Sequence, residues 1–276
     1  MVSRRPLTSF VVLAFALSWG YWGVLVARGW VSHPGQGWPT HLPGLLGPAI
    51  AAVLVTAVAD GRPGLRDVSS RMLRWRLPWR WWALGAATAL IPVLVWSWQA
   101  LMGGGWPSTG ELTAYSGAPV VALPLLVLGV LVVNGFGEEV GWRGMLAHRL
   151  LDRHSLLTTS VVVWVVWAAW HLPVFLVVAD FREMGWTALG WLVGLAAASV
   201  VLTWMYDGTG RSILFVAVWH TVFNFTSATE ATNGLPAAIS STLVMALAVG
   251  VVVHERREVR DAGSRTPRAS PSTGSS

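Results

Sequence analysis

The strongest constraint on this chain is a succession of apolar runs, each long enough to cross a bilayer. Hydrocarbon is spanned by about 20 residues of α-helix, and runs of that order lie at 7–27, 42–59, 79–101, 119–137, 156–179, 186–206, 212–228 and 235–253. Backbone N–H and C=O groups find no water in lipid, so each run must satisfy its own hydrogen bonds as a helix. The expected fold is all-α, a polytopic membrane protein of about eight transmembrane helices with no soluble domain and no internal repeat. Arg4 and Arg5 precede the first run in the manner of a signal peptide. That run is long and no A-x-A site follows, so it reads as a retained helix.

Charge sets the expected orientation, because basic loops stay cytoplasmic. Segment 61–80 carries Arg62, Arg66, Arg71, Arg74, Arg76 and Arg80, whereas 103–118 carries no basic residue. Arg149 and Arg153 follow the fourth run, Arg211 lies between the sixth and seventh, and Arg256, Arg257 and Arg260 follow the eighth. Both termini are expected on the cytoplasmic side of the cell membrane. All 19 basic residues are Arg, but they cluster in these loops, where lipid headgroups and not nucleic acid are the expected partner. There is no Cys, which removes disulfides, thiol nucleophiles and cysteine metal sites. Many of the 19 Trp suit interfacial belts. The chain divides into three helices and loops (1–118), a polar-bearing core (119–228), a last helix with a basic end (229–261) and a tail (262–276). The tail lacks apolar periodicity and is expected to be disordered.

Ionisable side chains inside a span cost at least about 2.5 kcal/mol each and normally face a protein interior or a wet cavity. Three groups break the apolar runs. Glu138, Glu139 and Arg143 follow Asn134, His171 precedes Pro173, and His220 is four residues from Asn224. Residues four apart share a helical face, so Glu139 and Arg143 pair in the favourable order while Glu138 points elsewhere, with Asn134 one turn before it. Pro173 removes a donor and bends its helix beside His171. At about 1.5 Å per residue, all three groups lie roughly 12–22 Å from the cytoplasmic ends. Taken singly, the glutamates could end a helix at the headgroups and each His could be a hydrogen-bonded packing residue. Three groups at matched depth argue for a buried polar site, expected to open to the cytoplasmic side. His33, His41, His148, His154 and His254 lie in loops or at helix ends and read as solvated surface.

These residues resemble the CPBP intramembrane proteases, which include CAAX prenyl endopeptidases and the ABI proteins proposed to act in bacteriocin processing or self-immunity. That family carries E-E-x-x-x-R, F-x-x-x-H and H-x-x-x-N on successive membrane helices. Here the first reads Glu138-Glu139-Val140-Gly141-Trp142-Arg143 and the third His220-Thr221-Val222-Phe223-Asn224. The second, Trp167-Ala168-Ala169-Trp170-His171, has Trp where Phe is usual. The resemblance covers roughly 119–228, and altered packing is expected at Trp167, not a lost site.

The resemblance implies an intramembrane endopeptidase acting on a membrane-associated protein or peptide, with Glu138 activating water. His171 would orient that water, His220 and Asn224 would donate to the oxyanion, and Glu139 with Arg143 would hold the helix geometry. No cofactor is favoured. A divalent metal such as zinc is the alternative, because Glu138, His171 and His220 form a catalytic zinc set with one open position; the stronger H-E-x-x-H signature is missing. A proton-coupled transporter would use similar groups, but the chain lacks two comparable halves and paired broken helices. A catalytically silent immunity or scaffold protein is the third reading. The all-Arg, Ala/Gly/Val-rich composition points to a GC-rich bacterial genome, where a leader peptide or membrane-anchored protein is a more natural substrate than a prenylated one. Oligomeric state is not encoded in these motifs.

Overall fold

The computed structural model describes residues 4–264. Helix α1, Pro6–Ala27, opens with Pro6 in its first turn, where a missing N–H is harmless. A 3₁₀ turn, Leu42–Leu46, leads into α2, Gly47–Ala59. Helix α3, Gly61–Met72, carries part of the arginine-rich segment, and α4, Trp79–Leu101, contains Pro92. The short α5, Thr109–Thr113, is held by a capping box between Ser108 and Glu111. Helix α6 runs from Leu123 to Leu151. Helix α7, Leu156–Trp170, starts at Ser155, whose side chain accepts from the Thr158 amide. Two single turns, Val174–Val177 and Ala179–Arg182, follow. Helices α8, Thr187–Gly208, α9, Ile213–Ser227, and α10, Leu235–Ser264, complete the chain. Among the described residues there is no named strand, only isolated β-bridges.

Seven helical segments are long and apolar enough to span a membrane, and α9 is a shorter apolar eighth. The protein is therefore a polytopic all-α membrane protein. Three boundaries differ from the sequence expectation. The fourth span does not stop at 137: α6 begins after Pro119 and continues through the charges, because Glu139 and Arg143 neutralise one another within it. The fifth helix ends at Trp170, more than two turns before the end of the apolar run at 179, with Pro173 just beyond it. Helix α10 extends to Ser264, so the first residues of the expected disordered tail are helical; from 265 onward that expectation lies outside the described residues.

Helix α6 lies between α2 on one side and α9 on the other, with α1 packed along α2 and α4 along α9. Helix α8 packs against both α7 and α10. Glycines on α6 permit the closest approaches. A Cβ on Gly141 would lie 2.4 Å from Cβ of Pro48, and one on Gly135 would lie 2.8 Å from the Ala217 carbonyl oxygen. Small residues at such crossings let backbones pack without side chains between them.

Each face is stitched differently. On the arginine-rich face, buried Arg71 of α3 pairs with Asp67 and donates to the Gly144 carbonyl and the Tyr206 hydroxyl. Arg149 pairs with Asp60, and Arg211 with Asp152. On the opposite face the loops join through the bridges Ser32↔Val178, Pro34↔Ser116, Gln36↔Pro119 and Tyr115↔Thr229. A small apolar cluster of Tyr115, Ala118, Leu126 and Val130 lies under these loops, separate from the main core. On α6 the charged residues follow Val130 after two turns.

Candidate active site

The turn carrying the glutamates, Gly137–Gly141, is α-helical between two π-helical stretches, Leu131–Phe136 and Trp142–Ala147. Such stretches rotate side chains relative to a regular helix and occur often at functional sites. Glu139 and Arg143 keep their four-residue relation, with Oε1 and Nη1 3.0 Å apart and both side chains 0% exposed. The same Oε1 is 2.8 Å from Nδ1 of His220. One carboxylate therefore ties α6 internally and to α9. A ring nitrogen beside a carboxylate carries the proton, so Nδ1–H donates to Glu139 and Nε2 is left for other chemistry.

Glu138 turns to α7. Its Oε2 accepts a 2.7 Å hydrogen bond from the Trp167 indole Nε1. Trp167 also lies under Arg143, whose guanidinium carbon is 4.7 Å from the ring centroid. The ring is 5.8 Å from both the His171 and the His220 ring. His171 caps α7 and donates from Nδ1 to the Trp167 carbonyl at 2.8 Å. Asn224, half-buried, follows His220 by one turn on α9. The structure thus gathers Glu138, Glu139, Arg143, His171 and His220 around Trp167, with Asn224 beside them.

The segment that builds this arrangement decides the kinship. Residues 120–226 match the Rce1-like family, the type II CAAX prenyl endopeptidases. This stretch of the chain is similar to the CPBP/CAAX protease family. All six motif residues fall within the match. The chain is also similar to CAAX prenyl protease 2 of Methanococcus maripaludis, 22% identical over 223 residues that cover 78% of this chain and 81% of the relative.

At this site the atoms left free matter most. The second oxygen of Glu138 and Nε2 of both histidines are not used in these hydrogen bonds. Glu139 Oε2, Arg143 Nε and Nη2, and Asn134 Oδ1 are buried without a protein partner among the described residues. Buried polar atoms rarely stay unpaired, and this set marks a polar centre within an apolar core. Among the described residues, no three His, Asp or Glu side chains are gathered closely enough to hold a metal ion. The zinc alternative built on Glu138, His171 and His220 has no assembled ligand set in this arrangement.

Two residues near the site carry no sequence signal. His41 was expected at the solvated surface, but it is buried. Its backbone N–H donates to Ser32 Oγ, its carbonyl accepts from the Trp22 indole, and its Nδ1 has no partner among the described residues. Burial first, and then His171, lowers its pKa to about 4, so it is neutral at pH 7. Tyr115 comes from the other loop, where its ring packs 5.6 Å from Phe225 and its hydroxyl is within reach of the Asn224 side chain. Burial, reinforced by Glu138, raises its pKa, so it stays a phenol and a donor. Their placement depends on bridges between distant segments, which no local pattern announces.

Proposed function

We propose that the protein is an intramembrane endopeptidase that hydrolyses a peptide bond of a membrane-associated protein or peptide. The observation that carries this reading is the pair of glutamates with divided duties. Glu139 is engaged by Arg143 and His220, while Glu138 holds one oxygen on Trp167 and leaves the other without a hydrogen bond among the described residues. The similarity to the Rce1-like family and to the Methanococcus CAAX prenyl protease 2 supports the same class of reaction.

In this scheme Glu138 takes a proton from water as the water oxygen attacks the scissile carbonyl carbon. His171, with Nδ1–H on the Trp167 carbonyl, accepts from that water through Nε2 and aims it. The tetrahedral oxyanion is met by donors on α9: Nε2–H of a His220 whose Nδ1–H rests on Glu139, and the Asn224 amide. As the C–N bond breaks, Glu138 returns its proton to the leaving amine. Arg143 balances the Glu139 charge throughout. The substrate class is a membrane-anchored protein or leader-type peptide, cut in the cell membrane by an enzyme with both termini in the cytoplasm.

The test uses protein reconstituted in liposomes with two probes: a farnesylated peptide ending in a CAAX sequence, and an unmodified single-span membrane peptide. Mass spectrometry identifies the products. Cleavage of either by the wild type and not by Glu138→Gln supports the proposal. Equal cleavage by both proteins removes Glu138 from the chemistry. The farnesylated peptide cut alone would assign the lipidated class.

A further inference from the structure

The Trp167 position departs from the family pattern, and the structure gives that departure chemical content. A Phe ring has no hydrogen-bond donor, whereas the Trp167 indole N–H is 2.7 Å from Glu138 Oε2. Both residues are buried, each 3% exposed. Among the described residues this is the one hydrogen bond made to the Glu138 carboxylate.

We propose that Trp167 is the positioning residue of the general base in this chain, its indole N–H fixing one Glu138 oxygen so that the other faces the attacking water. The proposal rests on the protease reading. A carboxylate held at one oxygen has lost rotation about its terminal bond, which is the freedom that most affects where a proton is taken. A further contact stops the indole itself from turning: the Arg143 guanidinium covers its face at 4.7 Å, an attractive cation–π geometry. The Trp167 backbone carbonyl accepts from His171 Nδ1. One residue therefore sets the base through its side chain and the water-orienting His171 through its backbone. Arg143 serves Glu139 at one edge and the indole at its face.

The competing explanation is that the larger ring only fills space, and an isosteric change separates the two. Replacing Trp167 by 3-benzothienylalanine keeps the fused ring and exchanges N–H for sulfur. With whichever liposome probe is cleaved, kcat should fall roughly 10- to 100-fold, the loss expected for a hydrogen bond to a charged group, with KM and thermal stability unchanged. Trp167→Phe should lose at least as much. An isostere with wild-type kcat overturns the proposal while leaving the protease reading intact. An infrared readout makes the contact testable without turnover: the carboxylate band that disappears in Glu138→Gln should shift in the isostere. A shifted band in a protein that cleaves neither probe keeps the contact and sinks the catalytic role, whereas an unshifted band sinks the contact itself.

Discussion

Glu139→Gln is the substitution whose consequence the structure determines most fully. The change keeps size and one oxygen but removes the charge opposite Arg143. Arg143 is fully buried, its Nη1 is 3.0 Å from Glu139 Oε1, and its Nε and Nη2 have no partner among the described residues. Removing one partner of a buried ion pair typically costs about 3–5 kcal/mol, because the survivor is left charged in a low dielectric. Against a whole-domain stability of about 5–15 kcal/mol, that is about a fifth or more of the total. Equilibrium unfolding in mixed micelles, followed by indole fluorescence, should show the loss. A second variant checks the cause: Glu139→Gln combined with Arg143→Met removes both charges and should regain most of the lost stability, since apolar replacements of buried pairs are often neutral. A Glu139→Gln protein within about 1 kcal/mol of wild type, or a double variant no better than the single, would refute the buried-pair reasoning.

Three further outcomes are expected. Asn224→Ala should lower kcat by about 10²–10³-fold with KM little changed, the effect of losing an oxyanion donor; a change confined to KM would make Asn224 a binding residue. Tyr115→Phe keeps the ring against Phe225 and removes the hydroxyl that faces Asn224, so kcat should drop about tenfold at unchanged thermal stability; full activity would make Tyr115 packing only. Exhaustive chelation of the purified enzyme should leave activity intact, with no stoichiometric metal by elemental analysis. Activity lost to chelator and restored by zinc would contradict the metal-free scheme.

Most of the helices were legible because lipid permits only one way to satisfy a backbone, and hydropathy reports it. The Glu139–Arg143 pair was legible for a similar reason, since four-residue spacing is a property of the helix itself. The same spacing put His220 and Asn224 on one face of α9. What escaped the sequence is non-local. That α6 continues past Phe136 depends on a neutralised charge pair and on glycines that admit α2 and α9. The second bond of Glu139, to His220, needs two helices brought together. Trp167 was visible as an odd residue, but its bond to Glu138 requires the rotation of α6 between two π-helical stretches. His41 and Tyr115 lie on loops held by the bridges Pro34↔Ser116 and Tyr115↔Thr229, where no periodicity guides a prediction. His41 in particular looked like a surface residue because loops usually are.

The central claim, that Glu138 drives hydrolysis inside the membrane, is tested most directly in living membranes. Cells producing the wild-type protein are compared with cells producing Glu138→Gln at equal membrane abundance, and the N-termini of membrane proteins are catalogued by mass spectrometry. The account predicts a small set of internal N-termini, within or beside apolar segments, present with the wild type and missing with Glu138→Gln. Identical catalogues from a folded Glu138→Gln protein and the wild type would contradict it.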